Sequence, residues 1–238
     1  MRFVPVKSAE QQAGLMLLKV RDLLVKQRTA LINAMRGHAA EFGVTAAQGP
    51  VKVAELLQRA HAEEANVPAL ALEMLRLLSS QLEAIEAKLK ALEARLMAWH
   101  KADPVSQCLV TQPGIGPPWL QLGGAVSFSL KVADPKAFRS GRHFAAWLGL
   151  PPKEHSTGGH RRFGKISRQG DEALRKLLVL GATAVIRLAK PGSASPWLLQ
   201  LLARKPKKLA AIALANKMAR ILWAMMVSGE VYRRQLPA

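Results

Sequence analysis

Residues 71–99 read ALEMLRLLSSQLEAIEAKLKALEARLMAW. Ala71, Leu75, Leu78, Leu82, Ile85, Leu89, Leu92, Leu96 and Trp99 recur at alternating steps of four and three. That spacing keeps one apolar seam on the same side of a helix from end to end. Glu83, Glu86, Lys88, Lys90, Glu93 and Arg95 lie outside the seam. Such a face needs a helical partner. The partner is an earlier helix of the same chain in an antiparallel hairpin, or a second copy in a dimerising coiled coil, and both can hold at once. The seam is expected over about 69–101, and Asp103-Pro104 ends it.

Upstream, Ser8-Ala9-Glu10-Gln11 has the spacing of a capping box. The helix it opens is predicted to reach about Phe42, with Leu17, Val20, Leu24, Leu31, Met35 and Phe42 as its apolar positions and Gly43 as its C-cap. Gln48-Gly49-Pro50 breaks the chain, and a short helix carrying Val53, Leu56 and Leu57 follows. Downstream, Asp134-Pro135 reads as N-cap and first position of a helix containing Phe138, Phe144, Ala145, Trp147 and Leu148. Asp171 caps another over 173–189, with Leu174, Leu177, Leu178, Ala182 and Val185 on one face, and a last amphipathic helix spans 209–227. No β-rich stretch and no internal repeat stands out. The expected fold class is all-α: a long helical hairpin or coiled coil over 1–103, then a compact, basic, helix-hairpin-helix-like domain over 104–238.

The chain has 238 residues and a formal charge of +19. Residues 1–103 contribute +3 of it and residues 104–238 contribute +16. So lopsided a charge calls for a polyanion docking on the C-terminal half. An anionic membrane is the weaker choice, because the most apolar late segment, 209–227, carries Lys217 and Arg220 at its centre. Cys108 is the only cysteine, which excludes an intrachain disulfide or a cysteine-based zinc site and fits a reducing cytosol. The opening RFVPVKS has no apolar core of a signal peptide. A single Tyr and six Phe argue against an aromatic stacking platform for single strands.

Three basic features define the candidate site. The first is Gln112-Pro113-Gly114-Ile115-Gly116, which resembles the turn of a helix-hairpin-helix DNA-binding module. There Gly114 and Gly116 would present backbone N–H groups to a phosphate. The second is the stretch 147–178, WLGLPPKEHSTGGHRRFGKISRQGDEALRKLL. Ser156, Thr157, Gly158 and Gly159 sit among Lys153, Arg161, Arg162, Lys165 and Arg168, with no acid between Glu154 and Asp171. A hydroxyl on a glycine turn ringed by cations suits attack on a phosphodiester, because the donors stabilise the added negative charge. The same loop would also serve as a plain phosphate clamp. His155 and His160 flank the turn, and either could act as a proton shuttle, although such loop histidines are more often solvated phosphate contacts. The third feature is the short clamp of Lys205, Lys207 and Lys208.

Taken in order, RFVPVKSAEQQAGLMLLKVRDLLVKQRTALINAMRGHAAEFG, QPGIGP, the 147–178 block and KKLAAIALANKMARILWA resemble the later part of the "one-ten" insertion-sequence transposases. These are DEDD enzymes related to the Piv-type DNA invertases, and the resemblance covers essentially the whole chain. It implies DNA transposition guided by a structured element-encoded RNA, on dimers or tetramers. It also implies a catalytic serine in the C-terminal domain that meets the carboxylate site of another subunit. Carried onto this chain, the serine is Ser156, with Thr157 as the alternative. Ser156 is preferred because a primary hydroxyl is less hindered.

The resemblance further implies an N-terminal RuvC-like domain holding Mg2+ on four carboxylates. Met1–Lys7 corresponds to sequence just after it, and Glu10, Asp22, Glu41, Glu55, Asp171 and Glu172 are too scattered to replace it. The chain is therefore expected to hold no metal of its own and to be inactive alone. Its expected partners are DNA, guide RNA and further copies of itself in the bacterial cytoplasm, at the nucleoid. Two rival readings are a non-catalytic nucleic-acid clamp and a purely structural coiled-coil dimer; the charge of residues 104–238 speaks against the second.

Overall fold

The computed structural model describes residues 7–47, 49, 52–62, 66–116, 124–160, 162–190 and 194–233. Its elements are α1 (Ala9–Glu41), α2 (Lys52–Ala60), α3 (Ala69–Ala102), α4 (Pro104–Leu109), α5 (Gly124–Lys131), a 3-10 turn (Pro135–Ala137), α6 (Gly141–Trp147), β1 (Pro152–Glu154), β2 (Phe163–Ile166), α7 (Glu172–Arg187), α8 (Pro196–Arg204) and α9 (Lys207–Ser228). The protein is all-α apart from one small antiparallel sheet. The chain divides into two compact units, Met16–Arg95 and Met1–Leu15 together with Leu96–Ala238.

In the Met16–Arg95 unit the heptad seam is buried within a single chain. Leu75, Leu82, Ile85 and Leu89 are all at most 6% exposed. Leu75 and Leu82 share a core with Ile32, Met35 and Ala39 of α1 and Val53, Leu56 and Ala60 of α2. Arg21 near the start of α1 meets Glu93 near the end of α3 at 3.7 Å, so the two helices run antiparallel. Each buried leucine contributes about 1.5–3 kcal/mol relative to exposure. The face α1 uses agrees with the predicted one at Met35, which is buried, and at Leu31, which packs against this core, and differs elsewhere. Leu18, Ile32, Met35 and Ala39 are buried, whereas Leu17, Val20 and Leu24 are half-buried and Phe42 is exposed. A helix with more apolar residues than one stripe can hold leaves the choice of face to its partner.

The helix start was legible. Ser8 Oγ accepts from the Gln11 N–H at 3.1 Å and Gln11 Oε1 accepts from the Ser8 N–H at 3.0 Å, the reciprocal pair of a capping box.

In the other unit α9 forms the centre of the core. Ala210, Leu214, Ala215, Met218, Ala219 and Leu222 of α9 pack with Leu174, Leu178 and Ala182 of α7 and Phe144 and Ala145 of α6. By length and composition α9 could cross a membrane, yet its apolar side is taken up by this core. The predicted helix after Asp134 is interrupted. Asp134 caps the 3-10 turn, the chain is extended at Phe138 and Ser140, and Ser140 caps α6 through the His143 N–H. Ser140-Gly141 offers a second cap where the first turn could have continued.

Candidate nucleic-acid site on a β-hairpin

The basic stretch read as a loop is a β-hairpin. Pro152 pairs with Ile166 and Glu154 with Phe163, with an irregularity between them. All but one of the paired-strand residues are exposed. With so little core beneath it, the hairpin depends on its two ends. At the tip, Thr157 and His160 pair and the His160 N–H donates to the Thr157 carbonyl at 3.1 Å. Gly158 and Gly159 lie between them at φ +57° and +78°. Two consecutive positive φ values define the type I′ turn that suits the twist of a hairpin. The space a Cβ would occupy on either glycine is open, so a ligand's phosphate can approach this backbone.

At the base, two glycines let the strands' ends cross. A Cβ on Gly149 would stand 2.0 Å from the Gln169 carbonyl oxygen, and one on Gly170 would stand 1.8 Å from that of Trp147. Arg175 of α7, 9% exposed, donates through Nη1 to the carbonyls of Leu148 at 3.0 Å and Gln169 at 3.3 Å. One buried guanidinium thus clamps both ends of the hairpin to the core. Asp171 adds a second tie. It accepts from Lys131 Nζ of α5 at 2.8 Å and caps α7 through the Leu174 N–H at 2.9 Å. Burial pushes its carboxyl up, but the Lys131 ammonium and the cap N–H groups outweigh that and hold it below the usual carboxylate range. Arg175 was missed by the sequence reading, although an arginine adjoining the apolar face of Leu174, Leu178 and Ala182 was its visible signal.

Ser156 is held more firmly than Thr157. Its hydroxyl donates to Glu154 Oε1 at 2.9 Å and accepts from the Arg162 N–H at 3.2 Å. Ser156 is half-buried and Thr157 exposed. Lys153, Arg162, Lys165 and Arg168 are all exposed, and none of them forms an ion pair with a described acid. Arg168 sits at the base with φ +56°. Arg161 lies outside the described residues.

The other predicted contacts lie on separate elements. Gly114 and Gly116, at φ +88° and +64°, belong to the turn after α4. That turn packs so closely on α7 that a Cβ on Gly181 would meet the Gly114 carbonyl oxygen at 1.9 Å. Lys205 caps α8, and Lys207 and Lys208 open α9. Met218, which lies beside Gly114, is roughly 15 Å further along α9 from them at the helical rise. All three lysines are exposed. A cleft of about 880 Å³ lies away from the hairpin, with Leu188, Leu198, Leu214 and Met218 among its walls. A second constellation only imitates a catalytic set: His100 Nδ1 is 2.8 Å from Ser106 Oγ, but Ser106 has no exposed surface. Among the described residues no group of three or more His, Cys, Asp or Glu is placed to hold a metal ion.

A profile of the Transposase IS116/IS110/IS902 family matches residues 106–197, which include the whole hairpin and its clamp. A Sinorhizobium fredii protein named as transposase y4pF/y4sB is 47% identical over 98% of this chain and 60% of its own length. A Pseudomonas aeruginosa protein named as a family 20 transposase is 46% identical over 98% of this chain and 69% of its own. The transposase for insertion sequence element IS1111A of Coxiella burnetii is 38% identical over 98% and 64%. The chain therefore spans roughly three-fifths to seven-tenths of the length of these relatives. With identity this high over nearly all of its length, the chain belongs to the IS116/IS110/IS902 family of transposases.

Proposed function

We propose that this chain takes part in transposition of insertion-sequence DNA, with the β1–β2 hairpin meeting the scissile phosphodiester and Ser156 attacking it. The observation that carries this reading is the Ser156 hydroxyl, fixed by two hydrogen bonds on an exposed hairpin where Lys153, Arg162, Lys165 and Arg168 form no ion pair among the described residues. Oγ would form a phosphoester with the DNA strand as the bond from phosphorus to a deoxyribose oxygen breaks. Lys153, Arg162, Lys165 and Arg168 would stabilise the charge on the phosphate oxygens. Lys205, Lys207, Lys208 and the Gly114–Gly116 turn would hold more of the DNA or guide-RNA backbone. Arg161 adds to this set by its place in the sequence.

The described residues offer no donor set for two-metal chemistry. Magnesium enters this reading only as held by carboxylates that another part of the assembly supplies. Self-association is assigned to the Met16–Arg95 unit. There Met16 and Leu23 of α1 and Leu70, Met74 and Leu77 of α3 are exposed apolar residues outside the packed seam.

The test is covalent trapping with a labelled duplex containing an element end, element-encoded RNA and magnesium. The chain is assayed alone and mixed with the part of the Sinorhizobium fredii relative that it does not span. An adduct in the mixture that disappears with Ser156→Ala is the expected result. An adduct that survives Ser156→Ala but not Thr157→Ala moves the nucleophile one residue along. Binding that weakens ~10³-fold or more as salt rises, with no adduct under any condition, leaves the rival function of a nucleic-acid clamp.

A further inference from the structure

We propose that Glu154 is the general base for Ser156, taking the proton of its hydroxyl as the protein–DNA ester forms. The inference rests on the reading of Ser156 as nucleophile. The hydrogen bond between their side chains brings Glu154, at the end of β1, and Ser156, two residues beyond it, together on the hairpin. The hydroxyl donates to Glu154 Oε1 at 2.9 Å while the Arg162 N–H donates to the same Oγ at 3.2 Å. With one lone pair occupied by that N–H, the hydroxyl proton is directed at the carboxylate and the second lone pair is left for attack.

The setting makes this contact unusual. Glu154 is the only acid between Asp134 and Asp171 in a stretch that also holds eight lysines and arginines. A carboxylate in such a field would be expected to pair with a cation. Among the described residues Glu154 has no ion pair, and its side chain accepts from Ser156 instead. Thr157, one residue on, is exposed, and the Glu154 carboxylate accepts from Ser156 instead.

The step balances without a further reagent except water. The Oγ–H proton passes to Glu154, the Oγ lone pair forms the bond to phosphorus, and the bond to the deoxyribose oxygen breaks. That oxygen takes a proton from water, and Glu154 returns its own to water. When a DNA hydroxyl later displaces the ester, its proton passes to water, and Glu154, reprotonated from water, delivers a proton to the departing Oγ, as microscopic reversibility requires.

Glutamine separates this role from a structural one, because it keeps the acceptor oxygen and the size of the side chain but cannot take a proton at neutral pH. In the trapping assay Glu154→Gln is expected to slow adduct formation by ~100-fold or more with DNA affinity unchanged. Glu154→Asp is expected to recover part of the loss. An independent readout uses Ser156→Cys in a Cys108→Ser background. A carboxylate against the thiol disfavours the thiolate, so adding Glu154→Gln should raise the iodoacetamide rate at pH 8 by ~3-fold or more. Equal alkylation rates would show that the contact does not exist. Wild-type adduct formation by Glu154→Gln overturns the base while leaving the serine in place. An adduct that survives Ser156→Ala, or no adduct from the unaltered mixture, removes nucleophile and base together.

Discussion

The helical hairpin of α1 and α3 and the β1–β2 hairpin are both antiparallel, but opposite forces hold them. The first is stabilised by an apolar seam in which Leu75, Leu82, Ile85 and Leu89 are each at most 6% exposed. The second has almost no buried side chain in its strands and is fixed only at its ends. Its tip is set by two left-handed glycines, and its base by two glycine crossings, the Arg175 clamp and the Lys131–Asp171 pair. An element without a core of its own can present nearly every side chain to a ligand, which suits the polyanion site proposed for it. The same contrast appears in the charge, where the basic excess gathers in the half that holds the exposed hairpin.

The largest effect that would break this contrast is expected at the base of the β-hairpin. Gly170→Ala puts a Cβ 1.8 Å from the Trp147 carbonyl oxygen at φ +90°. It should destabilise the C-terminal unit by about 3 kcal/mol or more, from combined overpacking and left-handed strain. Denaturant unfolding and proteolysis within 150–170 read it out, and wild-type behaviour in both would mean the crossing is not made. Next comes Leu82→Ala in the seam, expected to cost about 3 kcal/mol while leaving the DNA binding proposed for the β-hairpin intact. Loss of both together would show that the two regions are not independently held.

A smaller effect sharpens the account of the base. Asp171→Asn keeps a capping oxygen but loses the charge that meets Lys131 at 2.8 Å, and should cost about 0.5–1 kcal/mol. Because folding holds the Asp171 carboxyl below its usual range, its charged form contributes stability above the unfolded pKa. That contribution is lost as pH falls through the lower folded value. Acid titration of stability should therefore be flatter in Asp171→Asn than in the wild type, and identical titrations would refute the tie. The smallest effect belongs to the surface of the helical hairpin. Glu93→Ala removes a partner 3.7 Å from Arg21, and unfolding should move by no more than about 0.5 kcal/mol.

How legible each region was follows from the same contrast. The seam, the Ser8–Gln11 capping box, the Asp103-Pro104 break and the Asp171 cap were all visible in the sequence, because each depends on residues within a turn or two of one another. α5 was not. Gly124, Ala125, Val126, Ser127, Phe128 and Leu130 are all buried, and a helix covered on most sides shows no amphipathic period. α8 was missed too, though Ser195-Pro196 carries its cap and first position. The strands escaped because three or four mostly exposed residues each give no apolar alternation to read.

For the site, the cations, the glycines and the two candidate hydroxyls stood together in the sequence. The difference between Ser156 and Thr157 in hydrogen bonding did not, nor did the contact from Ser156 to Glu154.

What the sequence determined by itself is what rests on composition and short-range spacing: helical class, the apolar seam and the gathering of the basic excess in residues 104–238. Only the tertiary structure decided that the seam closes within one chain, that the basic stretch is a β-hairpin, and that Arg175 holds its base. Each of those depends on groups distant in sequence meeting in space, and no local pattern specifies which surfaces meet.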